Sequence, residues 1–277
     1  MKHLLLIGNI DGKSVPLLRY ASRICADFNL KLHVLSVEQS SEAILLSSEN
    51  HFNKQNLYIN HLLDKQKSRE TENFVKDSTK DLIMSDWISH KLLKGNVQDC
   101  VEKFINEEKI DLLIIRQLTL RKNKFIGNEL FSKIFMNISD LPMLVIPENQ
   151  IYVTPQKMAY FTTFSEFDFE NIKWLTQNLT NLEIELIHFS AEEISVKNEK
   201  WFKYLKSEFK NNKISLDYRN EEIGAFINRE AASNAVNYDC LALSTQKRNF
   251  WERLIDPSTT LELISDIETP IFIFKHK

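Results

Sequence analysis

Glycine is the scarcest structural resource in this chain, with 5 in 277 residues. Phosphate-cradling loops need glycine where the backbone takes a positive φ or closely approaches a ligand. Such a low count argues against a glycine-rich nucleotide loop, and no GxxxxGK[ST] motif is present. HExxH and GxSxG are missing too, which removes the common zinc-protease and serine-hydrolase signatures. Cysteine is also sparse. Cys25, Cys100 and Cys240 lie far apart with no CxxC pair, so a zinc knuckle or dithiol redox centre is not expected. The odd number fits a reducing compartment, and a cytoplasmic location is the expectation. The apolar run in MKHLLLIGNIDGK stops at Gly8, too short for a signal core or a membrane span. There is no basic excess either. The formal net charge is -3, so no nucleic-acid partner is expected, and the basic RKNK stretch (Arg121–Lys124) reads as a solvated loop.

What is there is a core-forming composition, 43% hydrophobic and 26% charged. It is arranged as an internal repeat. DLLII (Asp111–Ile115) is followed by LPMLVIP (Leu141–Pro147), and DCLAL (Asp239–Leu243) by TPIFIF (Thr269–Phe274). Asp111 to Pro142 is 142 − 111 = 31 positions, and Asp239 to Pro270 is 270 − 239 = 31. The starts match as well: HLLLIGN with KMAYFTTF, then LKLHVLSV with LEIELIHF. Between them, Leu17, Leu18, Ala21, Ile24 and Cys25 recur at helical spacing in one half, and Phe169, Ile172, Leu175 and Leu179 in the other. The middle of each half carries a longer helix, roughly Phe52–Val75 and Lys200–Asn211. Next come a strand, near Trp87–Leu93 and Ile214–Arg219, and a further helix. Strands alternating with helices predict an α/β fold with a mostly parallel sheet, and near-continuous apolar strands predict burial of both faces. The reading is two domains, 1–149 and 150–277, joined across the prolines of Pro147–Pro155.

The pattern resembles the universal stress protein family over almost the whole chain, twice. The resemblance implies two domains, each a five-stranded, mostly parallel sheet with helices on both faces. In the family the first strand ends in Asp, and a Tyr-Ala pair follows in the next helix. Here Asn9 and Thr163 stand at the Asp position, with Tyr20 and Ala21 in register in the first half. Gly95 matches the glycine that follows the family's third strand; Asn220 replaces it in the second half. The ATP-binding members carry G-x2-G-x9-G-[ST] after the fourth strand. Those positions fall on Arg116, Thr119, Glu129 and Leu130 in the first half. In the second they fall on Ser244, Lys247, Pro257 and Ser258, where only Ser258 fits, with Thr260 close behind. LPMLVIP and TPIFIF resemble the family's edge strand, which pairs antiparallel with its copy in a partner. With both copies in one chain, an internal pseudo-dimer is expected, with a homodimer of the chain a further option and the protein partner unnamed.

Ligands of such sheets sit at the carboxyl ends of the strands, at the topological switch point. The candidate ligand residues are therefore Asn9, Ile10, Asp11, Val37, Arg116, Thr119, Gly127 and Asn128 in the first half. In the second they are Thr163, Ser165, Ser244, Lys247, Ser258 and Thr260. Side chains where the family has glycine crowd a triphosphate, so ATP or AMP is disfavoured as a cofactor. A non-enzymatic protein of stress-associated type, acting by dimerisation or partner binding, is the leading reading. A nucleotide sensor using Gly127-Asn128, and a related adenine-binding enzyme such as a nucleotidyl transferase, are the alternatives. No metal is expected: the seven histidines show no ligand spacing, and His33 and His188, in matching second strands, are read as packing or hydrogen-bonding residues. Cys100 is expected to be buried.

Overall fold

A computed structural model of the chain describes residues 2–8, 14–38, 53–82, 85–116, 141–147, 150–179, 181–190, 195–232, 237–245 and 269–276. The first repeat contains β1 (Lys2–Ile7), α1 (Val15–Phe28), β2 (Leu30–Glu38), α2 (Asn53–Thr79), a 3-10 turn (Ser85–Trp87), β3 (Ile88–Lys94), α3 (Val97–Glu108), β4 (Leu112–Arg116) and β5 (Met143–Ile146). The second contains β6 (Lys157–Phe161), α4 (Glu166–Asn178), β7 (Glu183–Phe189), α5 (Val196–Glu208), β8 (Ile214–Arg219), α6 (Ile223–Ala232), β9 (Cys240–Thr245) and β10 (Ile271–Lys275).

Among the described residues, one compact unit runs to Ile114 and the other holds Ile115, Arg116 and the residues from Leu141 onward. In the first unit the strand order is β3-β2-β1-β4. β1 pairs parallel with β2, Leu4 opposite Leu32, and β2 parallel with β3, Val34 opposite His90. Leu4, Leu5, Leu6 and Ile7 are all buried. Successive strand residues point to opposite faces, so both faces of β1 are covered. The cover comes from α1 against β1 and β2, α2 against β3, and α3 against β2 and β3. An Arg19–Asp81 ion pair at 2.8 Å ties α1 to the segment after α2.

In the second unit the order is β5-β10-β9-β6-β7-β8. β6–β7, β7–β8, β6–β9 and β9–β10 all pair parallel. β5 pairs antiparallel with β10, with Val145, Leu144 and Met143 opposite Ile271, Phe272 and Ile273. The last strand of the first repeat thus joins the last strand of the second, as the edge-strand reading anticipated. All four β5 residues and Ile271–Phe274 of β10 are buried, so the antiparallel pair lies inside an apolar layer.

The repeated aspartates have a common mechanical role. Asp111 Oδ2 accepts the backbone N–H of His3 at 2.8 Å, and the Asp111 N–H donates to His3 O at 2.8 Å. Asp239 Oδ2 accepts the N–H groups of Gln156 and Lys157, both at 2.8 Å, and its own N–H donates to Lys157 O at 2.9 Å. Each carboxylate fastens the start of the fourth strand to the start of the first.

The helix ends differ from the sequence estimates for identifiable reasons. α5 starts at Val196, earlier than Lys200, because the Ser195 hydroxyl caps the Asn198 N–H; it stops at Glu208 and leaves Phe209 as its C-cap. α2 runs on to Thr79, whose hydroxyl donates to Val75 O at 2.8 Å. Cys100 is only half-buried, a correction to the expectation of burial: it sits on the first turn of α3, its Sγ 3.8 Å from Lys94 O. Gly95 precedes that helix at φ +142°, a conformation that L side chains rarely adopt, so the glycine is required there.

Candidate functional site

The second unit presents its switch-point end through the loop that leaves β6. Thr162, Thr163 and Phe164 lead to Ser165, which is the N-cap of α4. The Ser165 hydroxyl accepts the Asp168 N–H at 3.2 Å, and the Asp168 carboxylate accepts the Ser165 N–H at 3.0 Å, a reciprocal capping box. Asp168 does more than cap. Its carboxylate is fully buried and also accepts the Tyr160 hydroxyl (2.8 Å), the Thr162 hydroxyl (3.1 Å), the Thr163 N–H (2.9 Å) and the Thr163 hydroxyl (3.3 Å). Burial, and then the Asp168 charge, push the Tyr160 hydroxyl well above the usual tyrosine range. Tyr160 Oη accepts from Asn171 Nδ2 at 3.0 Å, and Asn171 Oδ1 meets His276 Nε2 at 3.0 Å. The network therefore runs from the strand end through α4 to the end of β10.

Phe164 adopts φ +57°, a left-handed backbone that costs a bulky residue roughly 1–2 kcal/mol. The Thr162 hydroxyl accepts its N–H at 3.0 Å and holds it there. That turn packs the ring against His188 (4.7 Å between centroids), Trp201 (5.4 Å) and Tyr218 (6.2 Å). His188 and Tyr218 belong to the carboxyl-terminal parts of β7 and β8, so the aromatic cluster lies at the carboxyl ends of the strands, where ligands of open α/β sheets bind. His188 Nδ1 makes a 2.9 Å hydrogen bond with Thr162 O, which draws β7 toward the same loop.

Of the residues singled out from sequence, Thr163 and Ser165 meet at Asp168. Ser244 lies nearby on β9. Its hydroxyl is buried and has no hydrogen-bond partner, although it faces Tyr160 closely enough to favour the phenolate. Val37, half-buried near the end of β2, stands opposite Leu93. Arg116 ends β4 and has interaction partners. Asn9, Ile10, Asp11, Thr119, Gly127, Asn128, Lys247, Ser258 and Thr260 lie outside the described residues. Asp168 was not among the residues singled out from sequence, although Ser165-x-x-Asp168 is a capping-box pattern; the family's Asp position falls on Thr163, two residues beyond the end of β6.

The first unit has a smaller polar network at the equivalent strand ends. The Ser36 hydroxyl donates to Gly8 O at 3.2 Å and lies 3.2 Å from His90 Nε2. Since the hydroxyl proton goes to Gly8 O, the His90 proton sits on Nε2, and Nδ1 is buried without a partner. Burial holds the His90 pKa below its usual value, with Glu72 opposing. On the other face of the same strands, nearer the start of β1, His33 Nε2 meets His3 Nδ1 at 2.9 Å and His33 Nδ1 meets the Ser89 hydroxyl at 2.8 Å. His33 thus makes the hydrogen bonds expected of it. Its pKa is pushed down to about 4, first by burial, then by His3; Lys31 adds to this and Glu108 opposes it.

No protein-family model matches the chain, and no curated protein matches it in sequence. Among solved structures, a universal stress protein from Archaeoglobus fulgidus DSM 4304 superposes with a TM-score of 0.65 at 16% identity, covering 99% of this chain and 96% of that one. The chain has the universal stress protein fold. A putative universal stress protein from Pseudomonas aeruginosa UCBPP-PA14 matches at a TM-score of 0.57 and 14% identity, over 99% of this chain and 93% of that one. The same fold serves the cytoplasmic domain of a prokaryotic cation chloride cotransporter, with a TM-score of 0.54, 11% identity, and coverage of 98% and 94%. No helix among the described residues is long and apolar enough to cross a membrane.

Proposed function

We propose that this protein is a non-enzymatic, stress-associated member of the universal stress protein group, working as a paired-domain binding scaffold whose second half is closed to adenine nucleotides. Asp168 carries the reading. An incoming phosphate needs free N–H donors at a helix start. Here the Thr163 and Ser165 N–H groups already serve a carboxylate, whose negative charge opposes a second anion. The Phe164 ring takes the neighbouring space. Partner binding is supported by Ile151 and Val153, which stand 80% and 60% exposed just after the first repeat. A reducing, cytoplasmic setting agrees with three free thiols, two of them buried.

The test is calorimetric titration of the full chain with ATP and with AMP, beside light-scattering measurement of its mass. We expect no saturable nucleotide heat. A stoichiometric nucleotide complex that is lost on replacing Thr163 or Ser244 overturns the closed second half. ATP turnover by the pure chain overturns the non-enzymatic assignment.

A further inference from the structure

We infer that His3, His33 and Glu108 form a zinc-binding site at the amino-terminal ends of β1 and β2, remote from the switch point. Each offers a ligand atom, and the three lie within 4.8 Å of one another. The parallel register explains why no sequence spacing revealed them: β1 and β2 stand side by side, with Leu5 opposite His33 and His3 two residues earlier on the neighbouring strand. Glu108 is the last residue of α3, and the Asp111–His3 hydrogen bonds hold the segment after that helix against β1.

The facing nitrogens are 2.9 Å apart. Two nitrogens on one tetrahedral zinc, each bonded at about 2.0–2.1 Å, sit roughly 3.3 Å apart, so the two imidazoles admit the ion with a shift of a few tenths of an ångström, while the Glu108 carboxylate, within 4.8 Å of them, closes by up to about 1.5 Å through rotation of its side chain. Two imidazoles and one carboxylate leave a fourth position for water, a combination zinc accepts readily. The site also has outer support. The Ser89 hydroxyl engages the other nitrogen of His33, which leaves Nε2 aimed at His3, and Phe104 packs edge-on against the His33 ring at 5.7 Å. In the tautomer in which Ser89 accepts the Nδ1 proton, His33 Nε2 holds a lone pair and His3 Nδ1 holds the shared proton. On metal binding that proton moves to Nε2 of His3, both rings stay neutral, and each donates one lone pair. The carbonyls at the end of α3 add partial negative charge beside Glu108, which favours a cation.

The experiment uses the untagged full chain, stripped with chelator and titrated with zinc at neutral pH, with cobalt as a spectroscopic stand-in. One ion per chain is expected, with a cobalt spectrum of nitrogen and oxygen ligation. His3→Ala removes a partly exposed imidazole and Glu108→Gln neutralises a partly exposed carboxylate, so both are expected to fold; each should weaken zinc binding at least about tenfold. Ser89→Ala should weaken it by about tenfold through its hold on His33. Circular dichroism confirms that the variants are folded. Absence of saturable zinc binding by the wild type overturns the proposal. So does undiminished binding in His3→Ala and Glu108→Gln, or a sulfur-to-cobalt band, which would place the ion on a cysteine.

Discussion

Replacing Asp168 tests how the second unit holds its switch-point loop. In Asp168→Ala, five donor contacts lose their acceptor. Water can reach the Thr163 amide and hydroxyl, because Thr163 is exposed. The Tyr160 and Thr162 hydroxyls are buried and the Ser165 amide is partly so. Each orphaned buried donor costs about 1–3 kcal/mol, and relief from burying a charge offsets part of that, so a net loss of about 3–5 kcal/mol is expected. Asp168→Asn is the informative control. Its oxygen can stay with the Thr163 and Ser165 amides while its NH2 faces Tyr160. The Tyr160 proton then turns to the unpartnered Ser244 hydroxyl, so the loss should be only about 1–2 kcal/mol. Urea unfolding followed by tryptophan fluorescence reads this directly, since Trp174 lies on α4 and Trp201 packs on Phe164. With a slope of about 2 kcal/mol/M, the alanine variant should shift the midpoint of the second unit by roughly 1.5–2.5 M. An alanine variant within about 1 kcal/mol of wild type, or an asparagine variant as damaged as the alanine one, refutes the account of the network.

Four further outcomes follow from other parts of the chain. Asp239→Ala strips the acceptor from the Gln156 and Lys157 amides and should cost about 1–3 kcal/mol in urea unfolding, whereas Asp239→Asn should keep part of it. Gly95→Ala places a side chain at φ +142°, with its Cβ 3.4 Å from Cys100 Sγ, and should lower stability by about 1–3 kcal/mol while leaving the second unit's transition in place. His33 and His90 are held neutral in the folded chain, so the unfolded chain binds more protons below its histidine pKa near 6.5. Stability of the chelator-treated first unit should therefore fall as pH drops from about 6.5 toward 4, by about 2–3 kcal/mol for His33, and His33→Gln should flatten that slope. Burial raises the Cys25 and Cys240 thiols, so a thiol reagent should label Cys100 first in the native protein and reach all three cysteines only after unfolding.

The strands and their succession along each repeat were legible because runs such as DLLII and KMAYF are apolar on both faces and alternate with helical patterns, as the strands of a doubly covered parallel sheet do. The 31-residue interval in both halves was legible for a mechanical reason the structure supplies: Asp111 and Asp239 do the same job. The β5–β10 pairing followed from the resemblance of LPMLVIP and TPIFIF to the edge strand of the universal stress protein family, present twice in one chain. The chemistry at the strand ends was not. Phe164 turns inward through a left-handed backbone, and nothing in an aromatic residue's identity signals that conformation. Asp168 looks like a first-turn helix carboxylate until the fold carries Tyr160 and Thr162 onto it. His3 and His33 meet only once the β1–β2 register is known, because their separation in sequence has no local geometry.

The antiparallel seam between β5 and β10 has a practical consequence for dissecting this protein. A cut at the interdomain prolines, natural as it looks on paper, would take Met143–Ile146 away with the amino-terminal piece. The carboxyl-terminal fragment would be left with the bare backbone of Ile271–Ile273, an apolar segment that contains Phe272 and runs into Phe274, along an open rim. Such a fragment should cling to copies of itself unless the missing four-residue strand is supplied as a peptide or grafted back. The two repeats are thus not interchangeable cassettes: the second borrows its closing strand from the first.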